Sequence, residues 1–210
     1  MINSQKIHKT ILRKTLSSSE HIKLGDYEEL SYIFFTDSQK DSDYILEFNL
    51  SGIRSSVKIF GFNLGTKGTS KINIQVVHQN KNTVGYSWIK SILGGDAKNT
   101  IKGMIKIEKN ALNTNAYFAH NSLLISRNAQ VISVPSLEIE TNAVKASHAG
   151  TTGHLDNDIL FYLNCRGIPA QEAKKLVITS FAFENVPEIS DQKTREKVLI
   201  FLNKKISKIL

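Results

Sequence analysis

Short runs of alternating apolar and polar residues dominate the chain from Leu30 to about Ile139. Leu46, Phe48 and Leu50 share one face of the run that starts at Tyr44, and Ile72, Ile74 and Val76 share one face of a later run. In the stretch between them, Val57, Ile59 and Gly61 oppose Phe60, Phe62 and Leu64. Ile101, Gly103, Ile105 and Ile107 continue the pattern, followed by Leu123 with Ile125 and Leu137 with Ile139. Successive side chains of an extended chain point to opposite faces, so this period of two predicts half-buried strands. Gly, Asn, Asp and Ser separate the runs, as turns require. Pro135 stands just before a strand, where its missing N–H does least harm.

A quasi-repeat runs through the later strands. Asp96-Ala97, Asn110-Ala111, Asn128-Ala129 and Asn142-Ala143 each lead into or out of a strand. A turn-strand unit recurring about every 16 residues predicts a β-solenoid with a flattened two-strand coil of about 32 residues, each coil burying its apolar face on its neighbours. The competing arrangement is a meander sandwich of evenly spaced hairpins. Asn-Gly and Asp-Gly pairs, the strongest hairpin signals, are absent from the sequence, which favours the solenoid.

The alternation stops after Glu140 and gives way to helical spacing. Asp156 is placed to cap a short helix carrying Ile159, Leu160, Tyr162 and Leu163, which Gly167 ends. Pro169 suits the first turn of a second helix, with Ala173, Leu176, Val177, Ser180 and Phe181 on its apolar side, and Pro187 breaks it. Ser190 or Asp191 caps a last helix with Val198, Leu199, Leu202, Ile206 and Ile209 on one face. The division expected is a β-scaffold over residues 1–150 and a helical region over 151–210.

Composition narrows the classes. At 210 residues, 40% hydrophobic and 22% charged, the chain reads as one globular domain with a small appendage. Its single cysteine rules out an intramolecular disulfide and fits a reducing compartment, so a cytoplasmic setting is expected, or a plastid-type organelle. No apolar run is long enough for a membrane span. The net charge of +8 admits a polyanion-binding reading, but arginine, the residue of bidentate phosphate recognition, is scarce, so no nucleic-acid partner is expected. Residues 1–19 hold no acid and four basic residues, as a targeting segment would; no small-residue cleavage site follows, and an opening basic strand with Ile7, Ile11 and Leu12 is the preferred reading.

Candidate chemistry is sparse. No phosphate-binding glycine loop, HExxH or G-x-S-x-G motif is present. His148 and His154, near Asp156 and Asp158 on what reads as an irregular stretch, are candidate metal ligands, and Cys165 reads as a small buried hydrophobe in the first helix. Taken alone, these residues indicate a β-solenoid with a helical tail and no evident catalytic apparatus.

One stretch goes further. Val144-Lys145, Ser147-His148, Gly153, Leu155-Asp156, Leu160-Phe161-Tyr162-Leu163 and Arg166-Gly167-Ile168 closely resemble the signature of the SufB/SufD family of iron–sulfur cluster assembly scaffolds. Asn121 to Leu124, Pro135 to Ile139 and Lys102 to Ile105 extend the resemblance upstream, and Gln171 to Phe183 downstream. Ala129 stands where SufB-like members carry a functional cysteine, and Ala149 where they carry a glutamate; both differences resemble SufD. Ala146 replaces a cysteine found in some SufD proteins, which excludes thiolate ligation there.

The resemblance implies a right-handed parallel β-helix followed by a helical domain, in a non-catalytic scaffold. It implies a SufB-like subunit paired through the β-helices and a SufC-like ABC ATPase bound by the helical region. It places His148, with Ser147, at the interface where a transient iron–sulfur cluster forms, with His148 as the one candidate metal ligand and no stably bound cofactor. It places ATPase docking on Asp156, Phe161, Tyr162, Arg166 and Gly167. Full-length members carry a longer N-terminal region. The alternative expectation is a self-associating homodimer of this family that assembles clusters without a SufB-like partner.

Overall fold

A computed structural model describes residues 7–37 and 39–210. Eleven strands come first and three α-helices follow. The odd-numbered strands form one six-stranded sheet: β1 (Ile7–Arg13), β3 (Glu28–Asp37), β5 (Ser56–Gly65), β7 (Val84–Leu93), β9 (Thr114–Leu124) and β11 (Val144–His154). The even-numbered strands form the other, of five: β2 (Ser19–Leu24), β4 (Ser42–Leu50), β6 (Thr69–His78), β8 (Lys98–Ile107) and β10 (Gln130–Ile139). Every pairing is parallel. The chain therefore winds as a parallel β-solenoid of about five two-strand coils, as its periodicity predicts. Side chains one coil apart lie 26 residues apart at His21 and Glu47 and 32 apart at Lys106 and Glu138, so the coils lengthen toward the C-terminus. The opening strand is present as β1; the rest of the candidate targeting segment before Ile7 lies outside the described residues.

Parallel stacking puts like positions above one another. Tyr27, Arg54, Asn82 and Asn113 occupy the same corner of successive coils, each with a positive φ of 55 to 60°. That conformation costs an L-residue about 1–2 kcal/mol. Each of the four returns a hydrogen bond from its N–H to the next coil: Tyr27 to Ile53, Arg54 to Lys81, Asn82 to Leu112 and Asn113 to Ala143. The Asx-Ala repeat stacks similarly: Asn128 Nδ2 donates to Asp96 Oδ1 at 2.9 Å, above the buried pair Ala97 and Ala129.

Inward-facing residues fill the coils. Phe34, Phe48, Ile59, Ile74, Ile105 and Phe118 belong to one buried cluster. Gly61 and Gly103 make room for rings: a Cβ at Gly61 would lie 2.4 Å from Phe34, and one at Gly103 2.1 Å from Phe118. The outward face of the odd sheet forms a second core. Phe60, Phe62 and Leu64 point away from Val57 and Ile59 and meet Ile178, Ala182, Val198, Leu202 and Ile206 of the helices. A strand buried on both faces needs apolar residues on both, which accounts for the run Ile59-Phe60-Gly61-Phe62 in the middle of β5.

The helices are α1 (Asn157–Cys165), α2 (Ala170–Phe183) and α3 (Gln192–Ile209). Lys90 with Glu184, Lys205 with Asp37, and Lys58 with Glu188 at 3.9 Å tie the tail to the odd sheet. Lys90 is itself buried, with its ammonium 4.3 Å from the Phe181 ring centre. Several expectations change here. The strands do not stop at Glu140: β11 runs to His154, because backbone pairing to β9 holds a segment whose side chains are too polar to announce a strand. Cys165 is exposed rather than buried, since α1 buries none of its residues. On α2 the buried residues are Ala173, Ile178 and Ala182, while Leu176 faces solvent; the helix is rotated from the expected stripe. Pro169 is the N-cap of α2, outside its first turn.

Candidate functional site

The C-terminal end of the solenoid is where regular structure is left unfinished. β11 and β10 are the last strands of the two sheets, each paired on one side only. An edge strand presents a row of unpaired N–H and C=O groups, the usual template for adding another chain. Ser147 and His148 sit in the middle of β11, both exposed. His148 is in register with Phe118 of β9, and Ser147 with Tyr117. Phe118 points into the coil, so His148 occupies an inward-facing register position on the last strand of the odd sheet, against which no further strand of the described residues is paired. His148 and His154, six residues apart on one extended strand, do not converge. Among the described residues no group of three or more His, Cys, Asp or Glu side chains is arranged to hold a metal.

The other predicted residues gather on α1, immediately after β11. Asp156 caps the helix, its Oδ1 accepting from the N–H groups of Asp158 at 2.8 Å and Ile159 at 3.3 Å. Gly167, at φ +84°, closes it: its N–H donates to Asn164 and that of Ile168 to Leu163, the paired bonds of a glycine-terminated helix end. These two residues shape the helix. Phe161, Tyr162 and Arg166 form its surface: Phe161 is 70% exposed, and the Arg166 guanidinium lies 5.1 Å from the Tyr162 ring centre. With Ile159 and Leu176 also exposed, α1 and α2 present an apolar patch beside a cation.

Behind β11, the coils hold polar groups that the strand pattern does not reveal. His120 of β9 is fully buried; its Nε2 shares hydrogen bonds with Ser91 Oγ at 2.8 Å and Ser122 Oγ at 3.1 Å, and its Nδ1 with Ser133 Oγ of β10 at 2.9 Å. Asn99 extends the chain through Ser91, and Ser70 extends it through Asn99. Gly150 of β11 is in register with His120 and faces Ser133. His78 is equally buried, with Nδ1 bonded to Thr83 Oγ1 at 2.8 Å. Burial disfavours the imidazolium and pushes both groups down to about 4. The only sequence signal for this network is polar residues at inward positions of the period-two pattern.

A parallel solenoid with an edge strand at the end of each sheet, a histidine on the last strand and an exposed helix directly after it is a scaffold-type architecture. Comparison with known proteins identifies which scaffold. Residues 6–181 match the family model described as SUF system FeS cluster assembly, SufBD core domain. The chain belongs to this family, and within it is SufD-like. It is 32% identical over 117 residues to the iron–sulfur cluster assembly protein SufD of Escherichia coli K12, covering 56% of this chain and 28% of that relative. It is 30% identical over 138 residues to SufD of Bacillus subtilis 168, covering 66% of this chain and 32% of the relative. A SufBD family protein of Mycobacterium bovis is 38% identical over 104 residues, covering 49% of this chain and 26% of the relative. The chain thus spans about a quarter to a third of the curated relatives it matches. No helix among the described residues is long and apolar enough to cross a membrane.

Proposed function

We propose that the chain is a non-catalytic, SufD-like scaffold subunit that pairs with a SufB-like protein through its terminal strands and receives a SufC-like ATPase on α1 and α2. The observation that carries this reading is the position of His148: exposed, inward in register, on an edge strand with one side unpaired. A second solenoid added to that edge would surround the imidazole with its own side chains. His148 then serves as a neutral ligand, or as a proton-handling group, toward an iron–sulfur cluster that is cargo and leaves; the remaining ligands come from the partner. Ser147, on the opposite side of the strand from His148, lies within the same interface. The exposed apolar surface of Phe161, Tyr162 and Leu176, with Arg166 beside it, supports docking of the ATPase there.

Anaerobic reconstitution after co-expression with SufB-like and SufC-like proteins tests this. His148→Ala is expected to keep the complex intact on gel filtration while cluster formation, read from visible absorbance, falls about tenfold or more. Wild-type cluster yield in the variant would refute the role of His148. A homodimer that assembles clusters with no SufB-like protein present would replace the heteromeric reading with the self-associating one.

A further inference from the structure

We infer that the groove between α3 and the β1–β2 connection is a docking site for an acidic protein segment carrying an apolar side chain. The groove has a volume of about 530 Å³ and is lined by Lys14 and Thr15 on one side and by Lys197, Ile200, Phe201, Lys204, Lys205 and Lys208 of α3 on the other. Most of the net charge lies on the helix that forms its longer wall. Over Gln192–Ile209, α3 holds Lys193, Arg195, Lys197, Lys204, Lys205 and Lys208 against Glu196 alone, a net +5 of the chain's +8.

Lys205 already shows the chemistry. It pairs with the Asp37 carboxylate while its ammonium lies 5.7 Å from the Phe201 ring centre. Among the described residues, Lys14, Lys197, Lys204 and Lys208 have no carboxylate within salt-bridge distance, and only Lys197 has a carboxylate, Asp191, acting on it from farther away.

The lining distinguishes among anionic partners. Ile200 is 70% exposed in the midst of these lysines, and Phe201 is held at 4.3 Å between ring centres against Phe35 of β3. Such a floor accepts an apolar side chain from a segment whose carboxylates reach the lysines on either wall. Val198, Leu202 and Ile206, the apolar stripe of α3, are buried against the sheet, so the helix has no free face to insert into a bilayer. The groove contains no arginine, and its one aromatic ring is packed on Phe35, so neither bidentate phosphate recognition nor base stacking is provided for. The groove lies beside β1, at the opposite end of the odd sheet from β11. An occupant there leaves the terminal edges free, and the inference does not rest on the scaffold reading.

Fluorescence anisotropy with the full 210-residue chain tests it. The probe is a fluorescein-labelled peptide of about ten glutamates with one central leucine, compared with an oligothymidylate of equal length and with phosphatidylglycerol-containing vesicles. The peptide is expected to bind in moderate salt and to weaken as salt rises. The double variant Lys204→Glu/Lys208→Glu, at two exposed positions, is expected to weaken it about tenfold or more, and Ile200→Ser about threefold. Circular dichroism should show both variants folded. Absence of peptide binding, or binding unchanged by the charge reversal, overturns the inference. So does an oligonucleotide or vesicle that binds the wild type as tightly as the peptide and is lost in the same variant.

Discussion

β9 and β11 are neighbouring strands of equal length, paired in register from end to end, yet their side chains live in different surroundings. Phe118 of β9 is buried against Gly103; His148, at the same position one coil later, is exposed. The backbone carries the solenoid forward unchanged. What changes is whether another coil follows. An interior coil can use apolar and even unprotonated polar groups because its neighbours exclude water. The last coil must use residues that tolerate water, and that is where the family's signature residues fall.

The difference can be tested first through acid. Inside the coils, His78 and His120 are pushed down to about 4 by burial, against 6.5 for an ordinary imidazole. The unfolded chain takes up these protons near pH 6.5 and the folded chain only near pH 4. Their contribution to stability is therefore complete above pH 6.5 and lost as pH falls from 6.5 to 4, by about 3 kcal/mol for each histidine. Urea unfolding between pH 7 and 4 measures it, and His120→Gln should remove about half of the slope in that window. A stability that stays level there would mean the interior is open to water.

A smaller effect separates the two regions sterically. Gly103→Ala, which drives a methyl group into the Phe118 ring, is expected to cost about 1–3 kcal/mol. Gly153→Ala, in β11, meets nothing within 4 Å and should change stability by less than about 0.5 kcal/mol. Thermal unfolding of the two variants side by side checks the contrast; equal losses would show that β11 is as tightly packed as the interior.

The smallest effect is local. Asp156→Ala removes the cap of α1 and should destabilise that helix by about 1 kcal/mol. Because α1 buries no residue, hydrogen exchange should quicken over Asn157–Cys165 while the melting of the solenoid stays unchanged. A fall in the global melting temperature would show instead that α1 belongs to the cooperative core.

Much of this molecule was legible in the chain alone. Period-two alternation, spaced turn residues and the Asx-Ala repeat specify stacked strands, because the pleat and the coil repeat both project directly onto sequence. The caps at Asp156 and Gly167 could be read for the same reason, and that of α3 could be narrowed to Ser190 or Asp191, of which Asp191 is the cap: each depends on its own few neighbouring residues. The tertiary structure decided what local rules do not reach. Whether Leu176 or Ile178 is buried depends on how α2 lies on the odd sheet. Whether His120 is sealed depends on Ser91 and Ser133, distant in sequence and brought close only by winding. That Val144–His154 is a strand at all depends on β9, since most of its side chains are exposed and only Val144 and Ala146 hint at an apolar alternation. Burial is a property of what lies across space, and a sequence states it only where the fold repeats.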